Sequence, residues 1–222
     1  MRSPHRSHRA AHIAAAALAL VAAAPAVPAE AQRARVVRAF DNSVTPFLGA
    51  SSYGVRWING GSRYRYAGSL TVGAEVEHPL TRRAGMFVTA DVAPLADQEA
   101  ENGPDKIIGD RTFIWRADAG LAWRFKPAAP VFFLLGGGAI GASRPPPPFA
   151  TGGGVEPEGM VAAGYDGRRH GRWNLRGVYV ARLARPREPD TAGFEAKSIA
   201  YDWTLQVGLR YTGGASPDES AP

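Results

Sequence analysis

In the stretch SIAYDWTLQVGLRYT, residues 198–212, every odd position from Ile199 to Tyr211 is apolar, while Asp202, Thr204, Gln206 and Arg210 occupy even positions. A period of two belongs to an extended strand, whose successive side chains point to opposite faces. The pattern recurs along the chain. YRYAGSLTVGAEVEH (64–78) sets Tyr64, Tyr66, Leu70, Val72, Ala74 and Val76 against Arg65, Ser69, Thr71, Glu75 and Glu77. TFIWRADAGLAWRF (112–125) sets Phe113, Trp115, Ala117, Ala119, Leu121, Trp123 and Phe125 against Arg116, Asp118 and Arg124. Residues 172–183 set Trp173, Leu175, Tyr179 and Leu183 against Arg172, Asn174, Arg176 and Arg182. Residues 45–57 place Phe47, Tyr53, Val55 and Trp57 against Ser52 and Arg56, and residues 86–95 alternate loosely around Asp91. Residues 131–142 and 158–166 hardly alternate and are read as strands from their bounding turn signals. Eight strands result, with no helical period between them.

The links between these strands sort by length. HPLTRRAG, KPAAP and GRRHG, after strands two, four and six, are short. Residues 96–111, 143–157 and 184–197, after strands three, five and seven, are long, and only INGGSR is short on that side. Short links at one end and long ones at the other predict an all-β, antiparallel, up-and-down barrel of eight strands spanning 44–212. One motif competes with this reading. FFLLGGGAIGASRPPPP spells G-x-G-x-x-G with Gly136, Gly138 and Gly141, and Glu156 and Glu158 follow near the distance of a ribose-binding acid. A dinucleotide turn must open a helix, and four prolines directly afterwards forbid one. The glycines are therefore read as part of a strand that lets bulky neighbours approach.

The amino terminus carries Arg2, Arg6 and Arg9, an apolar run from Ile13 to Ala24, and APAVPAEAQ. This is the layout of a secretory signal peptide over 1–31, with cleavage after Ala31. Residues 32–43 then form a lead-in segment, and 213–222 a polar tail. Removing the signal leaves 23 basic and 19 acidic residues, a net charge of about +4 in place of +6. Charge so mild and mixed gives no nucleic-acid partner. With no cysteine in the chain, disulfide frameworks, thiolate metal sites and a lipid-modified amino-terminal cysteine are excluded.

Alternation alone leaves open which face is wet. In a membrane barrel the apolar face looks outward, and Arg56, Arg65, Arg116, Arg124, Arg176, Arg182 and Arg210 pair inside with Glu75, Glu77, Asp91, Asp118 and Asp202. In a soluble exported barrel the faces are inverted, and a small hydrophobic ligand is held as in a lipocalin. The aromatics favour the membrane. All five tryptophans fall on the apolar phase near strand ends, Trp57, Trp115 and Trp203 toward the long links, Trp123 and Trp173 toward the short ones. Tyr64, Tyr66, Tyr201 and Tyr211 lie near the ends too, as in interfacial aromatic belts. On these features the chain resembles the small eight-stranded outer-membrane barrels, the OmpA-like and OmpX-like group of Gram-negative bacteria. Trp203, Leu205, Val207, Leu209 and Tyr211 look like that group's closing signal, although TGGASPDESAP follows Tyr211. The resemblance implies location in the cell outer membrane, outer-membrane lipids and the barrel assembly machinery as partners, and a structural, adhesive or envelope-integrity role, with the partner of the long loops unknown.

No catalytic, cofactor-binding or metal-ligating residue is assigned, and the chain is read as a non-enzyme. Some outer-membrane barrels, lipid A deacylases and palmitoyl transferases, use a histidine and a serine. Here the mature chain has only His78 and His170, both in short links away from the outer leaflet. Glu75 and Glu77 stand about 7 Å apart on one strand face, and nearby arginines mark them as structural pairs. ADQEAENGPDKIIGD lacks the spacing of a calcium loop, and RPPPPF reads as a stiff polyproline segment. The outward assignment of the last strand predicts that Leu205→Arg or Val207→Arg costs about 2 to 4 kcal/mol in the bilayer. Loss of the heat-dependent gel shift of outer-membrane fractions checks it.

Overall fold

In the computed structural model, residues 42–126, 129–143, 154–188 and 193–213 are described. The expected signal peptide 1–31, nearly all of lead-in 32–43, the RPPPPF segment and nearly all of the 213–222 tail lie outside them. The first and last long strands meet: β1 (Ser43–Ser52) pairs antiparallel with β11 (Ala200–Thr212), from Ser43↔Thr212 to Ser52↔Trp203. Between them run β4 (Ser69–Pro79), β5 (Ala84–Asn102), β6 (Asp105–Trp123), β7 (Val131–Ala142), β8 (Val155–His170) and β9 (Trp173–Ala184). Each pairs with its neighbours in the ring β1-β4-β5-β6-β7-β8-β9-β11, so eight antiparallel strands close on themselves. Closure removes the edges that an open sheet exposes, and eight strands leave an interior that side chains can fill.

Exposure decides the orientation of the faces. Leu48, Leu70 and Leu135 are 70, 68 and 64% exposed, whereas Arg56, Arg116, Arg176 and Arg182 are 0 to 2% exposed. The apolar face looks outward and the charged face lines the lumen. This removes the lipocalin-like alternative, which needs apolar side chains inside to meet its ligand. The expected phase holds along β6, β9 and β11, including outward Trp123, Trp173 and Trp203 and inward Arg116, Arg176 and Asp202.

Four expectations are corrected. The predicted strand 64–78 is broken at Ala67 and Gly68 into β3 (Ser62–Tyr66) and β4, and the phase shifts across the break, so Tyr66 is buried while Leu70 faces out. The predicted strand 45–57 has the opposite phase: Phe47 and Tyr53 point inward and Leu48 outward. It too is interrupted before β2 (Trp57–Asn59), where Trp57 is buried and donates its indole N–H to the Arg187 carbonyl, so it does not join the outer belt. The expected loop 96–111 is not a loop. β5 and β6 continue to a tight turn at Gly103, whose φ of 56° is in the left-handed region, and β3, β2 and β10 (Glu195–Ala196) add to this extension. The backbone pairs its own donors and acceptors to the hairpin tip, which the polar composition of the segment did not reveal.

The glycine run lies within β7, as expected. A Cβ built on Gly138 would fall 1.9 Å from the Ala117 carbonyl oxygen on β6. Inside the barrel, a Cβ on Gly164 would fall 2.1 Å from Cζ of Phe132, itself fully buried. Gly164→Val is therefore expected to lower stability by about 1 to 3 kcal/mol. Partial recovery on adding Phe132→Leu, read from urea unfolding in vesicles, checks that the ring is the obstacle.

Candidate functional site

The lumen holds the one concentration of chemistry in the described residues, in two ion-pair networks. Inward positions of β9, β4, β8 and β11 form the network nearer the short turns. Arg176 donates to Glu77 at 2.8 Å, to Asp166 at 2.7 Å and to Glu75, while Arg210 donates to Glu77 at 2.7 Å. Arg124 donates to Asp166 from below and to the Ala129 carbonyl at 2.6 Å. The guanidinium of Arg176 also lies 4.2 Å from the centroid of Phe132. That ring belongs to an apolar cluster with Phe87, Leu134, Met160, Val178 and Val180.

The second network lies toward the long links. Asp202 accepts from Arg56 at 2.8 Å and Arg116 at 2.7 Å, and its other oxygen accepts the Gly54 N–H at 2.9 Å. Glu156 accepts from Arg56 at 3.0 Å. Arg182 donates to Asp118 at 3.1 Å and to the Thr204 hydroxyl at 2.9 Å. Glu158 stands between Arg116 at 3.6 Å and Arg182 at 3.5 Å, and both its oxygens are buried without a hydrogen bond. Tyr53 and Tyr66 close over this network, with the Arg116 guanidinium 4.8 Å from the Tyr53 ring and Arg56 5.1 Å from that of Tyr66.

Most sequence-selected charges meet here. Glu75 and Glu77 share Arg176, which is the structural pairing expected of them. Arg65 does not enter the lumen. Its side chain is 32% exposed on the extension, bridging Glu99 and Glu101 at 2.6 Å each. Glu99 lies beyond the aromatic belt; burial would raise its carboxyl, but hydrogen bonds from Lys106 and Arg65 hold it below the usual range. The expected acidic loop is thus a paired strand in which Asp97, Glu99 and Glu101 meet cations. His78 is the last residue but one of β4 and His170 ends β8, both at the short-turn side. Sequence reasoning missed Glu156, Glu158 and Asp166 as lumen residues. The signal was present: 156 and 158 share the parity of Met160 and Ala162, but β8 alternates too weakly to make that parity visible.

Charge of this kind can seal and brace a barrel. A void lined by Thr45, Phe47, Glu75, Arg176, Val178, Gln206 and Gly208 has a volume of about 10 Å³, the room of a single water. No group of His, Cys, Asp and Glu among the described residues is arranged to hold a metal ion. Outside, Trp123, Phe125 and Phe133 cluster at the short-turn end with centroids 4.3 and 5.4 Å apart, and Trp173 meets Tyr211 at 4.8 Å. Tyr179 and Trp203 stack at the opposite end. Trp203 and Tyr211 are separated by eight residues, roughly 27 Å along a strand, which suits a tilted crossing of the hydrocarbon core.

No family model matches the chain, and no curated protein does. Solved structures are similar in fold. The outer membrane protein AlkL, studied in lipid bilayers, aligns with a TM-score of 0.52 at 10% identity over 86% of this chain and 98% of that one. The N-terminal β-barrel domain of OprF from Pseudomonas aeruginosa aligns with a TM-score of 0.40 at 11% identity, over 77% and 98%. The outer membrane protease OmpT of Escherichia coli aligns at 0.44 and 7%, over 82% and 99%. The fold is that of the eight-stranded transmembrane barrels of outer membranes.

Arg176→Ala leaves Glu75, Glu77 and Asp166 together without their shared cation. It and Arg116→Ala are each expected to cost about 3 to 5 kcal/mol. Arg65→Ala, on the exposed extension, is expected to cost about 1 kcal/mol or less. Urea unfolding midpoints of the refolded barrels check the contrast.

Proposed function

We propose that this protein is a sealed outer-membrane barrel with a structural, adhesive or envelope-integrity role, holding the β2, β3, β5, β6 and β10 extension above the membrane as a contact surface. The observation that carries this reading is the filled lumen. Buried arginine–carboxylate networks cross it at two levels, which fits bracing better than conduction. Location in the outer membrane is supported by the outward apolar band and by the fold shared with outer-membrane barrels. The extension supports a contact role: its paired strands stand beyond the aromatic belt and present Ile107 on one face and Ile108 on the other, both exposed. Outer-membrane lipids surround the band, and the barrel assembly machinery reads the alternation of β11 during insertion.

The role is non-catalytic in this reading. His78 and His170 sit at the short-turn end, and the lumen carboxylates are held by arginines rather than presented to a substrate. The purified barrel in planar bilayers is expected to show no discrete conductance steps, and a protein lacking residues 97–110, bridged by a short turn, is expected to keep its heat-dependent gel shift. Regular channel openings by the intact chain would contradict a sealed scaffold.

A further inference from the structure

The charge of the mature chain is not spread evenly over its two ends. Among the described residues at the long-link end, segments 58–65, 97–111, 185–188 and 193–199 carry seven basic and seven acidic side chains. The short-turn end is different. Segments 80–83, 125–126, 129–130 and 167–172 carry Arg82, Arg83, Lys126, Arg168, Arg169 and Arg172 with no carboxylate. Asp166, just above them, is taken up inside the lumen by Arg176 and Arg124.

Arg82, Arg83, Lys126 and Arg172 are placed at one level, beside the lower aromatics. Ala84, next to Arg83, pairs with Trp123, and the Arg83 carbonyl accepts the Arg124 N–H at 2.9 Å. The Thr81 hydroxyl accepts the N–H groups of Arg83 and Ala84 at 3.1 and 3.0 Å, which fixes the turn while Arg82 and Arg83 stay exposed. Lys126 follows Phe125 and is exposed. Arg172 precedes Trp173 and donates to the Tyr211 hydroxyl at 3.2 Å. Indole and phenol rings sit at headgroup depth, so cations one residue further out lie among the phosphates.

We infer that this rim is a binding site for anionic phospholipid headgroups of the leaflet on the short-turn side, engaging their phosphates through Arg82, Arg83, Lys126 and Arg172. The inference rests on the membrane-barrel reading and goes beyond it by assigning a headgroup preference to one end. Clustered cations at a membrane surface attract anionic lipid, an effect that falls off within a Debye length and is screened by salt. The balanced long-link end gives no such attraction.

The test uses the mature chain folded into phosphatidylcholine bilayers containing a brominated lipid that quenches tryptophan. In a Trp115→Phe/Trp203→Phe background, Trp123 and Trp173 are the lipid-facing reporters, because Trp57 is buried. Brominated phosphatidylglycerol is expected to compete for these sites severalfold better than brominated phosphatidylcholine at low salt. The preference should fall toward equality at high salt and in Arg82→Gln/Arg83→Gln/Lys126→Gln. In the mirror background, Trp123→Phe/Trp173→Phe, the reporters sit at the long-link end and should show no preference. Equal competition at the short-turn end, the same preference at both ends, or an unchanged preference in the triple variant would overturn the site. So would a preference that emerges only after deletion of residues 214–222, which would make the acidic tail the occupant. A heat-dependent gel shift on each sample reports the barrel separately, and its absence would overturn the barrel reading itself.

Discussion

Burial of charge in a narrow interior governs this structure. Once the apolar side chains of every strand face lipid, the other half of each strand has to fill a narrow interior, and that half carries arginines and carboxylates. An isolated ion there would cost several kcal/mol, so each must meet a partner from across the lumen. Arginine suits the task because its planar group offers five donors in fixed directions. Arg176 reaches Glu75, Glu77 and Asp166 at once, tying β9 to β4 and β8. Arg116 on β6 and Arg56 after β1 converge on Asp202 of β11, uniting segments far apart around the ring. Neighbouring strands are held by backbone ladders; strands facing one another across the barrel are held by these ions.

The interruptions in the first two strands follow from the same demand. A strand of unbroken phase would turn Arg56 away from the lumen once Phe47 and Tyr53 point in. The irregular stretch at 53–56 corrects this, bringing Arg56 onto Asp202 and Glu156. The break at Ala67 and Gly68 turns Tyr66 inward beside Tyr53, where the rings meet edge to face at 5.7 Å. Together they cover the upper network with an apolar cap that includes Ile114 and Ile140. Above the cap the lumen ends, and the sheet continues as an extension with paired backbone and mixed surface charge.

How far the chain could be read from its sequence varied with the strength of alternation. In β6, β9 and β11 bulky apolar residues hold most outward positions and a charged residue recurs among the inward ones, so strand, face and lumen partners such as Arg116, Arg176 and Asp202 were legible. In β7 and β8 the inward positions are partly glycine, alanine and methionine, and Glu156, Glu158 and Asp166 stayed hidden. The early tyrosines misled because an aromatic serves either a membrane interface or a packed interior: Tyr66 and Trp57 took the second role and Trp203 the first. The pairing of 97–102 with 105–111 was invisible because its mostly polar residues, with Ile107 and Ile108 adjacent, show no apolar alternation to reveal a strand. That Arg65 belongs to this extension rather than the lumen depends on the phase break, which no residue pattern announced.

The central claim is that the apolar phase faces lipid and the charged phase fills a sealed interior. Because the chain has no cysteine, single cysteines at 205, 207 and 209 can carry a spin label attached before refolding into vesicles, with collision rates then measured against oxygen and against a water-soluble nickel complex. The account predicts frequent collisions with oxygen and few with nickel at all three positions, as in hydrocarbon. Labels that are immobile and reached by neither reagent, or reached freely by nickel, would place that phase inside a protein core or in water and contradict it.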